Sequence, residues 1–189
     1  MQAEARPIAA RYLLHQEGVF GLIAVIGIGI QDKDPLQAFA APDGLAEALG
    51  IGALLGFGCA LVLWLLRRLP ALKRLENWQE ILVSEWSVSD VVAIAVLSGL
   101  AEEALLRAFL QPLVGLIPAA AVFALLHVLP DRQLWFWPAM AFAIGILFGV
   151  VFETWGFPAV ATAHGLLNGI GLLRLQQRLK TEDSRTDFR

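Results

Sequence analysis

An all-α polytopic membrane protein, with about six hydrophobic helices around a buried polar site, is the fold class this sequence predicts. Three observations carry it. The 189 residues are 58% hydrophobic and 16% charged, against about half apolar and one-quarter charged in soluble domains. The mean hydropathy is +0.67. The few strongly polar side chains inside the apolar runs fall at regular spacings instead of being scattered. The length allows one domain. A net charge of −3 without a basic block argues against nucleic acid as a partner. Cys59 is the single cysteine, which excludes an intramolecular disulfide and a cysteine-based metal site.

Residues 1–17, with Arg6 and Arg11, are expected on the cytoplasmic side. Residues 19–30 form an apolar run short for a crossing. With Ala38-Phe39-Ala40 downstream, the run resembles a signal peptide. Asp32, Lys33 and Asp34 intervene, so a retained helix or signal anchor is expected instead. Residues 44–66 make a full span, closed by Trp64 and followed by Arg67-Arg68. Residues 67–87 are hydrophilic, and Leu75, Trp78, Leu82 and Trp86 recur at helical spacing. They predict an amphipathic connector on the membrane surface.

Ser87 or Ser89 is placed to cap the next helix, with Asp90 in its first turn. That third span, 90–111, holds the charges. Pro112, Gly115 and Pro118 mark a turn, and Pro118 suits the opening of a helix. Residues 119–129, 134–152 and 156–173 follow as three more apolar segments. Arg174, Arg178, Lys180, Arg185 and Arg189 lie in a polar tail. The chain thus divides into two N-terminal helices plus connector (1–87), a catalytic helical core (88–173) and a tail (174–189). Six crossings bring the Lys/Arg-rich segments to one face, which the positive-inside rule makes cytoplasmic, with both termini.

The organising stretch is 101–109. A charge near the bilayer centre costs at least about 2.5–3.5 kcal/mol on insertion scales, yet Glu102, Glu103 and Arg107 lie together. Glu103 and Arg107 stand at i, i+4 with the acid first, the favourable order for an ion pair. Glu102 points about 100° away and is left to face a cavity. Gly115 lies 13 residues after Glu102 and 12 before His127, so a hairpin there sets both about 18–20 Å from the turn. His164 and Asn168 share a helix face at i, i+4, as do Phe123 and His127; Phe123 is read as packing. A carboxylate, two imidazoles and an amide around water suggest hydrolysis. Glu102, helped by His127, takes a proton from water, while His164 and Asn168 donate to the oxyanion. No Ser or Cys is well placed against a His, which argues against a serine-type nucleophile.

The motifs Glu102-Glu103-x-x-x-Arg107, Phe123-x-x-x-His127 and His164-x-x-x-Asn168 resemble those of the CPBP family, the CAAX-protease and bacteriocin-processing intramembrane endopeptidases. The resemblance spans roughly residues 88–173. It implies a glutamate-dependent intramembrane peptidase, with Glu102 and His127 activating water, His164 and Asn168 lining the oxyanion site, and Glu103 supporting the geometry. Ala108 replaces the glycine common in the family after the arginine. No cofactor is implied. The implied partner is a membrane-anchored or lipidated protein or peptide, in a prokaryotic cell membrane.

Competing readings start from the same residues. Zinc held by His127, His164 and one glutamate would make a metalloprotease, although no His-Glu-x-x-His helix is present. An acid–histidine chain would also suit a proton or ion conductor, but no paired broken helices or inverted repeats appear. Adjacent carboxylates suit a bis-histidine haem poorly. A non-catalytic membrane partner with a relic site is the remaining reading.

Overall fold

The computed structural model describes residues 6–31 and 34–186. Asp32, Lys33, Arg189 and the side chain of Arg185, all used above in the charge argument, lie outside what is described. The elements are α1 (Ala10–Ile30), the short α2 (Pro35–Ala38), α3 (Leu45–Leu66), α4 (Pro70–Val83) and α5 (Val88–Glu103). A π-helical stretch, Ala104–Leu110, carries α5 on into α6 (Gln111–Val114). Next come α7 (Leu116–Leu126), a 3-10 turn at Arg132–Leu134, α8 (Phe136–Trp155) and α9 (Phe157–Thr186). Among the described residues there is no strand, so the fold is all-α.

Among the described residues, three stretches are long and apolar enough to cross a membrane: Ala10–Ile30, Leu45–Leu66 and Arg132–Trp155. The pair Pro70–Val83 and Val88–Val114, bent by 116°, counts as a fourth if taken as one broken span. The sequence led to an expectation of about six. Leu116–Leu126 has 11 residues, or about 16 Å of helix, well under the ~30 Å hydrocarbon core. In α9 the apolar run is diluted by His164, Asn168 and Arg174.

Small residues let the helices meet. Ala48, Gly52 and Gly56 are buried along α3, and α3 packs on α9 through Ala159 and Ala163. Close backbone approach of this kind drives helix association in lipid, where burial of apolar surface gives no advantage. In α1 the stripe Glu17, Gly21, Ala24 and Ile28 follows the 3.6-residue period. Gly21 approaches Ala101, and Ala24 and Ile28 are fully buried in a cluster with Ala104 and Ala108. Ala108 therefore sits in this contact.

Within residues 1–17, expected on the cytoplasmic side, the structure shows a helix that the sequence reading did not foresee. From Ala10 onward they are helix, and Glu17 is buried in the bundle. The physical reason is the stripe itself, since Glu17 extends the small-residue face by one turn.

Ser87 caps α5 with a complete capping box: the Asp90 amide donates to Ser87 Oγ (3.1 Å) and the Ser87 amide to Asp90 Oδ2 (2.9 Å). Gly115 (φ 88°) and Gly156 (φ 77°) make the turns into α7 and α9. Both need the left-handed backbone that glycine tolerates.

Helix α4 starts on Pro70 in its first turn. It buries Leu72 and Leu75 against Leu134 and Trp78, so the amphipathic connector is docked on the bundle. Trp86 lies beyond the end of α4 and donates its indole N–H to Ile8 O at 2.6 Å. The stretch from Arg174, expected as a tail, continues α9 as helix. Arg174 and Arg178 pair with Glu76 at 3.3 and 2.8 Å, and Arg178 reaches Glu80 at 3.0 Å. These pairs fasten the end of α9 to α4.

Candidate active site

The site begins where α5 and α9 touch. A Cβ on Gly99 would stand 2.7 Å from Ala161 O and from the Gly165 amide nitrogen, so only glycine permits this approach. One turn beyond Gly99 is Glu103; next to Gly165 is His164. His164 Nδ1 donates to Glu103 Oε1 at 2.7 Å. The other carboxylate oxygen, Oε2, accepts from Arg107 Nε at 3.1 Å. Glu103 and Arg107 are fully buried and His164 is 3% exposed. A buried charge needs such pairing, because an isolated one is strongly disfavoured away from water.

The network runs on across the bundle. Arg107 Nη1 donates to Gln111 Oε1 (3.3 Å). Gln111 Nε2 donates to Gly149 O (3.1 Å) and to Glu153 Oε1 (2.9 Å). Polar contacts therefore link α9, α5 and α8 through Arg107. The arginine lies in the π-helical stretch, 5.8 Å from the Phe123 ring centroid. Such wide turns occur frequently at functional sites.

Phe123 stands between the two imidazoles, 4.4 Å from the His127 ring centroid and 5.9 Å from that of His164. Its carbonyl is 2.8 Å from His127 Nδ1. A carbonyl only accepts, so Nδ1 carries the proton and Nε2 is left as the basic nitrogen. Phe123 thus fixes the orientation of His127 as well as packing against it.

A cavity of about 640 Å³ opens on this assembly. Glu102, His127, Asn168, Ser98 and Glu17 are on its wall, with Trp64, Trp78, Trp86 and Trp137 among the apolar surfaces. Glu102 is 8% exposed, and its Oε2 is buried with no hydrogen-bond partner. Asn168 Nδ2 donates to Ser98 Oγ at 2.9 Å, and Ser98 Oγ donates to Ala95 O at 3.3 Å. An amide has two N–H groups, so one of Asn168 is still available.

The six residues picked out in the sequence therefore divide into two sets. Glu102, His127 and Asn168 face the cavity; Glu103, Arg107 and His164 form a buried cluster behind it. His164 departs from the sequence reading. It shares a helix face with Asn168, yet its ring is not on the cavity wall and packs against Phe123 and Phe148. The Glu103 bond, formed across 61 positions, holds it there.

Ser98, Gln111 and Glu17 were not picked out from sequence. Ser98 is at i, i+4 to Glu102, and Gln111 at i, i+4 to Arg107, so spacing alone held the signal. Glu17 interacts electrostatically with Glu102 and His164, and its signal was the α1 stripe. Among the described residues, no group of three His, Cys, Asp or Glu side chains is placed to hold a metal ion.

Residues 84–170 match the model of a family described as type II CAAX prenyl endopeptidase Rce1-like. The matched stretch holds every polar site residue named above except Glu17. Comparison with curated proteins found no match. Comparison with solved structures found none either. The apolar helices make this an integral membrane protein, and residues 84–170, which supply Glu102, His127 and Asn168 to the cavity wall, carry a domain similar to the Rce1-like CAAX protease family of membrane endopeptidases.

Proposed function

We propose that the protein is an intramembrane endopeptidase of the glutamate type. One observation carries this reading: the unpartnered carboxylate of Glu102 and the basic Nε2 of His127 belong to the wall of one cavity. Water between them loses a proton to Glu102 as its oxygen bonds to the substrate's carbonyl carbon. The carbonyl electron pair moves onto oxygen, where the spare N–H of Asn168 donates to it. Collapse then breaks the C–N bond, and the proton on Glu102 passes to the leaving nitrogen.

His164, Glu103 and Arg107 support this centre from behind. Their interlocked bonds hold α9 against α5 and so set where Asn168 stands relative to Glu102. The apolar cavity walls suit a membrane-anchored or lipidated terminus of a protein or peptide. Both termini are assigned to the cytoplasmic side of a prokaryotic cell membrane, on the distribution of Lys and Arg.

The test compares the wild type with Glu102→Gln in liposomes containing a pool of membrane-anchored peptides. Cleavage is read by mass spectrometry with and without a strong chelator. Cleavage lost in the variant and surviving the chelator supports the reading. Cleavage abolished by the chelator overturns it in favour of a zinc-dependent protease. No cleavage by the wild type, with protons or ions crossing the liposome instead, favours a conductor.

A further inference from the structure

Helix α1 lies outside the residues matched by the family, yet it places a carboxylate on the cavity wall. Glu17 is 4% exposed, lines the same cavity as Glu102, and leaves Oε2 buried without a hydrogen-bond partner. Two buried carboxylates of one cavity each have an oxygen in need of a donor. The stripe explains why position 17 is buried but not why it carries a carboxylate, since the positions that follow it are Gly21, Ala24 and Ile28. An intramembrane carboxylate is costly and marks function by default.

The approach of Gly21 to Ala101 (3.8 Å from an ideal Cβ) aligns the two helices. Glu17 is one turn from Gly21 on the same face, and Glu102 follows Ala101. We propose that Glu17 and Glu102 form a carboxylate pair across the α1–α5 contact that holds one proton between them. Glu17 is then a positioning residue for the water that Glu102 deprotonates. Two carboxylates in one desolvated site do not both ionise readily, and they titrate as a unit.

The other charged or titratable groups facing the pair are His164 of α9, with Glu103 and Arg107 behind it, His127 at the end of α7, Glu76 of α4 and Arg174 of α9. Glu103, Arg107 and His164 are bonded to one another, and Arg174 to Glu76. The oxygens of Glu17 and Glu102 named above are left to each other, to water or to substrate.

In its catalytic part this inference rests on the peptidase reading; the pair itself does not. Two measurements keep them apart, each on wild type, Glu17→Gln and Glu17→Asp in liposomes. Infrared spectroscopy with ¹³C-labelled glutamate reads the carboxylic C=O band, which marks a protonated side chain. Loss of a band in Glu17→Gln that the wild type shows at neutral pH supports the pair, with or without peptidase activity. Identical spectra overturn it.

On a cleaved peptide, Glu17→Gln is expected to lower kcat about tenfold or more with KM little changed. The alkaline limb of its pH profile, where the pair would lose its proton, should disappear. Glu17→Asp, which keeps the carboxylate, should recover part of kcat. Wild-type kcat and an unchanged pH profile in Glu17→Gln overturn the positioning role. If the wild type cleaves nothing, the peptidase reading fails, and the infrared result still decides the pair.

Discussion

Glu103 and His164, 61 positions apart, are joined at 2.7 Å between a carboxylate oxygen and an imidazole nitrogen, and that bond exists only because Gly99 and Gly165 let their helices touch. The two carboxylates of the Glu-Glu pair consequently do different work: one is saturated by Arg107 and His164, and the other is open to the cavity. Substitution should separate them.

Glu103→Gln removes the charge that both Arg107 and His164 answer. It leaves the guanidinium buried and uncompensated, a change that costs about 3–5 kcal/mol in comparable buried pairs. Thermal melting in detergent should show the loss, with cleavage falling in parallel. An inert but fully stable variant would contradict the supporting role of Glu103.

Glu102→Gln keeps the shape of a side chain that holds nothing else together. Its melting temperature should stay near that of the wild type, while cleavage drops by about 100-fold or more. A large loss of stability would mean that Glu102 is a structural group.

Gly99→Ala tests the approach of α5 to α9. The added methyl meets backbone atoms at 2.7 Å, which cannot yield as a side chain would. Overpacking of this kind costs about 1–3 kcal/mol. Melting should register that loss, and activity should fall further than stability because the Glu103–His164 bond lengthens. Activity at the wild-type level would show that the site tolerates separated helices.

The clasp of Glu76 with Arg174 and Arg178 is partly exposed, so Glu76→Ala should cost less than about 1 kcal/mol globally. It should nonetheless loosen α4, which contributes Trp78 to the cavity wall. Quenching of tryptophan fluorescence by a soluble quencher should rise while the melting temperature barely moves.

How much of this was legible in the sequence follows the range of the interactions. The all-α class and the division of Glu102 from Glu103 follow from composition and i, i+4 spacing, which are local. The partner of His164 was not legible, because a bond across 61 positions depends on where two glycines meet. The π-helical stretch around Arg107 left no mark in residue type; its apolar flanks would suit an α-helix equally well. Glu17 was hidden for another reason. Counting charges placed residues 1–17 on the cytoplasmic side and did not register that Glu17, Gly21, Ala24 and Ile28 trace one face of a helix. Six apolar runs are legible in the sequence, and among the described residues three of them pass as crossings by length and composition, because Leu116–Leu126 is short and α9 carries the site's own polar groups.

The ion pair of Glu103 and Arg107 is closed within a single helix, at 3.1 Å. During synthesis this segment emerges long before α9, so the imidazole of His164 is not yet present when it meets lipid. A helix that brings its own counter-ion enters the bilayer with those two charges already compensated. His164 arrives later as the last donor to the same carboxylate. The order of the chain is thus also an order of assembly, in which the proposed hydrolytic centre is completed only when α9 docks.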